Sequence, residues 1–186
     1  MKQLMTGPNL LTGLRFALIP LLVVLLSLEQ SILIAFVAWF VFAFAAFTDW
    51  LDGYLARKYH SETVLGKLMD PLADKVLVTA ALIMLIPLGR IPAWICLLIV
   101  SREIIITGLR GLAASAGKVV AAGQLGKIKS NFQYYGLGFL IFPLGLLPIP
   151  YQHEFGMILV YVSLVLSIWS AVEYIYNLRD IFEETP

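Results

Sequence analysis

Long apolar stretches separated by short polar ones set the pattern of this chain. A helix that crosses the hydrocarbon of a bilayer needs about 20 mostly apolar residues. Six runs reach or approach that length, at residues 10–28, 32–56, 70–88, 92–114, 131–147 and 155–177. They predict an all-α fold, a polytopic membrane bundle of six transmembrane helices. The polar stretches between them are too short to form a soluble domain, so residues 1–186 read as a single integral membrane domain. Any chemistry then falls to the helices and their connections. Pro87 to Pro92 and Pro148 to Pro150 punctuate the pattern as tight turns. The first run contains Arg15, lacks a small-residue cleavage site after Ser27 and is followed by further runs, so it reads as a retained span.

Composition sharpens this reading. Of 186 residues, 60% are hydrophobic and only 13% charged, with a mean hydropathy of +0.89, a balance that excludes a water-soluble domain of this size. No nucleic-acid partner is expected. The net charge of +1 says little, but its distribution says more. Lys2, Arg57, Lys58, Lys67, Lys118, Lys127, Lys129 and Arg179 fall on one side of a six-span topology, whereas the opposite connections, around Glu29, Arg90 and His153, carry one basic residue. Both termini are therefore expected on the cytoplasmic side. A lone Cys96 in an apolar stretch allows no intrachain disulfide and reads as a small core residue.

The polar residues that interrupt the pattern are concentrated in one place. Asp49, Asp52, Gly53 and Ala56 fall three or four residues apart, a spacing that places them on one helix face at the cytoplasmic end of the second run. Gly66, Asp70 and Asp74 make the same kind of stripe at the start of the third. The short connection between the two runs predicts antiparallel neighbours whose stripes face each other. Four carboxylates at a membrane boundary repel one another and are costly to desolvate. Divalent cations are the natural compensation: all-oxygen sites suit Mg²⁺ or Mn²⁺, and four carboxylates suffice for two ions. Gly53, Ala56 and Gly66 leave space for a bulky ligand on the same face. Salt bridges to Arg57, Lys67 and Lys75 at a solvated helix end are the plainer alternative. They account for one or two acids, not for four at helix-face spacing among small residues. Pro71 lacks an N–H and is most at home at the first helical position, so the third helix is expected to start or bend at Asp70.

The same residues fill every fixed position of the pattern D-x2-D-G-x2-A-R-x8-G-x3-D-x3-D, with Asp49, Asp52, Gly53, Ala56, Arg57, Gly66, Asp70 and Asp74 in order. By that signature the chain resembles the CDP-alcohol phosphatidyltransferases, and its length and six-run hydropathy extend the resemblance over essentially the whole chain. The resemblance implies a reaction in which an alcohol hydroxyl attacks the β-phosphorus of a CDP-linked lipid and displaces CMP. It further implies that Asp49, Asp52 and Asp70 are metal ligands, and that Asp74 lies near the metals as the general base. A hydroxyl acidified by a nearby divalent ion suits a carboxylate acceptor of ordinary basicity. Gly53, Ala56 and Gly66 would line the cytidine pocket, and Arg57 would neutralise diphosphate charge. A homodimer in a bacterial cell membrane is implied as well.

Outside the signature, Pro8-Asn-Leu-Leu-Thr12, Ser101-Arg-Glu-Ile-Ile-Ile-Thr-Gly-Leu-Arg110 and Gly126-Lys-Ile-Lys129 resemble one branch of that family. Its donor is CDP-diacylglycerol and its acceptor sn-glycerol 3-phosphate. In a helix through the fourth run Glu103, Thr107 and Arg110 share a face, while Arg102 points about 100° away. Charges inside a span usually face the bundle interior and mark a site. An acceptor with its own phosphate needs cations, which Arg110, Lys127 and Lys129 would supply. The plainer readings are an Arg102–Glu103 packing pair and positive-inside charge. Asn9 is expected to cap the first helix. Arg15, about two turns further in, is a candidate for an anionic head group. One alternative keeps the chemistry and changes the acceptor, to phosphatidylglycerol, inositol phosphate or serine. Another is an ion transporter, which calls for acids spread through the bilayer depth rather than clustered at one level. His60 and His153 are expected in solvated loops, and Trp39, Trp94, Trp169 and Tyr174 as interfacial anchors or packing residues.

Overall fold

Helices form where the apolar runs place them. The computed structural model describes the backbone of residues 7–59, 64–115, 124–146 and 150–183, and side chains at 12–48, 69–115, 125–126, 128–146 and 150–178. These residues make six α-helices: α1 Gly7–Ser27, α2 Ile32–Tyr59, α3 Val64–Leu85, α4 Ala93–Ser115, α5 Gln124–Ile141 and α6 Gln152–Glu183. No strand occurs among the described residues.

Three boundaries differ from the sequence reading. α3 starts at Val64 and carries Pro71 inside it, so the helix does not begin at Asp70. A proline leaves only the carbonyl four residues back without its helical partner, a loss that a polar helix end tolerates. α5 covers Gln124–Ile141 rather than 131–147, because the polar stretch Gln124–Lys129 is itself helical and Pro143 stops the far end. α1 begins at Gly7, which puts Asn9 in its first turn instead of ahead of it as a cap.

Contacts far apart in sequence show that successive helices alternate in direction. Thr12 of α1 donates to Asp70 of α3, and Lys129 of α5 pairs with Glu103 of α4, so the early parts of α1, α3 and α5 share one end of the bundle. α1 packs extensively on both α2 and α3, which touch each other much less. The closest association is α5 on α6, where small residues let the backbones approach: a Cβ added at Gly136 would stand 2.8 Å from Val160 Cγ2 and 3.1 Å from the Gly156 carbonyl oxygen. One core runs through the bundle around Leu22, Leu26, Leu77, Leu82, Ile95, Leu137 and Val160. A smaller one joins α4 to α6 through Ile106, Ala113, Tyr174 and Leu178.

The far end is tied by polar contacts. α3 closes at Leu85 in a turn in which Arg90 N–H donates to the Leu85 carbonyl (3.1 Å), with Gly89 at φ +64, a conformation that glycine adopts without penalty. The Arg90 guanidinium then donates to the carbonyls of Leu140 (2.7 Å) and Ile141 (3.0 Å) at the end of α5, groups that have no partner within their own helix. His153 is not in a solvated loop: it sits in the first turn of α6, half-buried, with Nε2 3.1 Å from the Arg90 carbonyl oxygen. Gln152 adds bonds to the carbonyls of Phe139 and Phe142, both at 3.2 Å.

The outer surface is apolar. Large side chains such as Leu33, Leu97, Ile104, Val165 and Trp169 are each more than 60% exposed, unlike the surface of a soluble monomer. Among the described residues one segment, Gln152–Leu178, is long and apolar enough to cross a membrane, and Thr12–Ser27 and Ile32–Thr48 are shorter apolar helices.

Candidate active site

The unbroken helix through Pro71 sets the two described aspartates one turn apart on α3, and each reaches a different neighbour. Asp70 accepts a hydrogen bond from the Thr12 hydroxyl of α1. Asp74 accepts one from the Tyr134 hydroxyl of α5, which fixes the orientation of its carboxylate. Arg15, beneath them, is fully buried. Its Nε donates to the Ala45 carbonyl of α2 at 3.3 Å, and its charge, with those of Glu103 and Lys129, acts on Asp74. The guanidinium is therefore enclosed within the bundle. The side chains of Asn9, Asp49, Asp52, Ala56, Arg57 and Lys127, with Gly53 and Gly66, lie outside the described side-chain set, although α1, α2, α3 and α5 carry their backbones.

Facing Asp74 is a charged network centred on Glu103 of α4. Its carboxylate accepts from Lys129 of α5 and from Arg102 at 2.8 Å, and lies 3.8 Å from Lys75 of α3. Lys75 also donates to the Thr107 hydroxyl, so among the described residues it serves α4 rather than the aspartates beside it in sequence. Arg102 reaches past Glu103 to α6, donating to the Ser167 carbonyl (3.0 Å) and the Ser170 hydroxyl (2.5 Å). One carboxylate thus ties together charges from three helices, and the expected Arg102–Glu103 pair forms part of a larger assembly.

Two spaces adjoin this network. A polar cavity of about 860 Å³ is lined by Asp74, Lys75, Glu103, Arg110 and Lys129 together with Asn131 and Tyr134. Arg110 and Lys129, proposed from sequence as one anion pocket, do share this wall. Arg110 stands over the Tyr174 ring, 5.5 Å from its centroid, and Lys129 is held by Glu103. Beside the cavity runs an apolar groove of about 600 Å³ between α2 and α5, lined by Trp39, Phe42, Gly138, Phe139 and Phe142. The two share Ala46, Tyr134 and Tyr135, so a charged chamber and an oily groove lie side by side. Trp39 belongs to the groove wall, in edge contact with Phe142 at 5.2 Å.

Gln133 and Tyr134 were not singled out from the sequence, and Thr12 entered only as the end of the Pro8-Asn-Leu-Leu-Thr12 segment, without a partner. Each is an ordinary polar residue in or beside an apolar run. The available signal was that a polar group within a span must find a partner inside the bundle.

Comparison with known proteins agrees with the signature. A family model described as CDP-alcohol phosphatidyltransferase matches residues 5–169. A protein of Bacillus subtilis named CDP-diacylglycerol–glycerol-3-phosphate 3-phosphatidyltransferase is 39% identical over 181 residues, 90% of this chain and 92% of its own length. Proteins of the same name from Haemophilus influenzae (38% over 175 residues, 90% of each chain) and Rickettsia typhi (34% over 175 residues, 94% and 98%) are similar along the same span.

Proposed function

The chain belongs to the CDP-alcohol phosphatidyltransferase family, and on that premise we propose that it transfers the phosphatidyl group of CDP-diacylglycerol to sn-glycerol 3-phosphate, giving phosphatidylglycerophosphate and CMP. The observation that carries this reading is the adjacency of the two spaces, which share Ala46, Tyr134 and Tyr135. A donor with two acyl chains and a charged diphosphate needs an apolar groove beside a polar chamber, and an acceptor phosphate needs cations in the chamber's lining. Arg110 and Lys129 stand there, with Lys127 assigned to the same pocket.

The donor set suits divalent metal. Asp70 and Asp74, one turn apart on α3, offer only carboxylate oxygens, the chemistry that hard cations such as Mg²⁺ and Mn²⁺ take. With Asp49 and Asp52 from α2 the set is sufficient for two ions, which when bound would polarise the phosphoryl oxygens and spread the developing charge. Asp74 takes the proton of the acceptor hydroxyl as the new oxygen–phosphorus bond forms. The bond from the β-phosphorus to the bridging oxygen breaks, and its electron pair leaves with CMP. Tyr134 holds the Asp74 carboxylate in register for that transfer. Gly53, Ala56 and Gly66 make room for the cytidine, and Arg57 balances the diphosphate. The whole chain acts as one domain. Its six helices span the cell membrane with both termini and the carboxylates on the cytoplasmic side, and the apolar outer surface described above faces lipid or a second copy in a homodimer.

The test is an acceptor panel. Purified protein with CDP-diacylglycerol and Mg²⁺ should release CMP with glycerol 3-phosphate and not with phosphatidylglycerol, inositol phosphate or serine. Equal release with a phosphate-free acceptor would overturn the assignment.

A further inference from the structure

Behind the large cavity lies a much smaller recess of about 30 Å³, lined in part by Asp74, Lys75, Glu103, Lys129, Gln133 and Tyr134. One water-sized group needs about 10–15 Å³ on this measure, so the recess has room for about two small polar groups and for no ring or branched chain. Gln133 follows Lys129 by one turn of α5 and is only 5% exposed. Its amide Nε2 has no hydrogen-bond partner among the described residues. A buried donor without an acceptor is uncommon in a folded chain and calls for an oxygen supplied from outside. The other walls offer the complementary features: the carboxylates of Asp74 and Glu103 accept, and the Lys129 ammonium donates.

A hydroxyl matches such a site because it donates one hydrogen bond and accepts others. The recess also adjoins the one carboxylate that takes the reacting proton. Two hydroxyls on neighbouring carbons lie within hydrogen-bond distance of each other, so when the first is at Asp74 the second falls within reach of the recess. We propose that Gln133 and this recess bind the second hydroxyl of the acceptor, making the enzyme selective for a phosphorylated vicinal diol. The inference rests on the function proposed above and adds to it a specificity-determining residue: phosphate recognition alone, by Arg110 and Lys129, leaves the middle hydroxyl unread. An acceptor lacking that hydroxyl strands the Gln133 amide, and sites built to bond a substrate hydroxyl reject analogues without it strongly.

The experiment compares glycerol 3-phosphate with 3-hydroxypropyl phosphate, the same chain without the middle hydroxyl, as acceptors for the wild-type protein and for Gln133→Met, a substitution of similar shape that removes the amide. Wild type should favour the diol in kcat/KM by at least about a hundredfold. In Gln133→Met the preference should shrink to less than about tenfold, by loss on glycerol 3-phosphate while use of the analogue is nearly unchanged. Equal use of the two acceptors by wild type would overturn the proposal without any variant, since the recess would then hold only water. An equal loss on both acceptors in Gln133→Met would also overturn it, by giving Gln133 a purely structural role. CMP release by wild type with a phosphate-free acceptor but not with glycerol 3-phosphate would sink this inference together with the function it rests on. The first two outcomes leave that function standing.

Discussion

Arg102 offers the sharpest test of how the charged network supports the bundle. Its side chain is 11% exposed, so water screens it little, and it makes three directed contacts: to Glu103 at 2.8 Å, the Ser167 carbonyl at 3.0 Å and the Ser170 hydroxyl at 2.5 Å. Arg102→Met keeps an unbranched apolar stem and removes all three. Breaking a buried ion pair by deleting one partner costs about 3–5 kcal/mol, mostly because the other charge is stranded. Here Glu103 keeps Lys129 and Lys75, which argues for the lower end, about 3 kcal/mol. For a chain of this size each kcal/mol moves the melting temperature by about 2–4 °C, so Arg102→Met should melt about 6–12 °C below wild type. The assay is thermal unfolding of the detergent-purified protein, followed by tryptophan fluorescence. Arg102→Lys, which retains charge but cannot bond Ser167, Ser170 and Glu103 at once, should fall between. A melting temperature within a degree of wild type for Arg102→Met would refute the view that this residue clamps α4 to α6.

Three further outcomes are expected. CMP release should vanish with excess chelator and return with Mg²⁺ or Mn²⁺, and Asp70→Asn and Asp74→Asn should each abolish turnover while the protein still inserts and purifies; full activity in EDTA would exclude the metal role. Arg110→Ala removes a charge-assisted contact worth about 1.5–3 kcal/mol, so acceptor KM should rise about ten- to hundredfold with donor affinity unchanged, as separate titrations of the two substrates would show. Gly136→Val puts carbon where Val160 and the Gly156 carbonyl already stand, and overpacking of that kind costs about 1–3 kcal/mol; a melting temperature equal to wild type would mean that α5 and α6 are not in the close contact described.

The six helices were legible because each is an apolar run bounded by Pro, Gly or charge, and the one-turn separation of Asp70 and Asp74 because their spacing repeats the helix. Both signals are local. The start of α5 escaped because Gln124–Lys129 looks like a loop by composition and is helical only through its continuity with the apolar segment that follows. Pro71 misled about the helix start for a related reason: its preference for the first position is local, and α3 runs through it from Val64. The partners of the aspartates were out of reach altogether. Thr12 and Asp70 are 58 positions apart, and Tyr134 and Asp74 are 60 apart, and no periodicity within one helix encodes which residue of another it will meet. Lys75 shows the converse, since adjacency to Asp74 suggested a local ion pair, whereas the helix turns it by 100° toward Glu103 and Thr107 of α4.

The Arg90 contacts carry a mechanical consequence. By bonding the last carbonyls of α5 to the turn that joins α3 and α4, they pin these helices at one tip, like the joined end of a pair of tweezers. Any parting of α5 from α3 and α4 must then widen with distance from that joint. Lys129 lies twelve residues before Ile141 along α5, a lever of about 18 Å at 1.5 Å per residue. Splaying by as little as 5° at the joint therefore carries the cavity wall through about 1.6 Å, enough to make or break a hydrogen bond at Asp74 while the far tip scarcely moves.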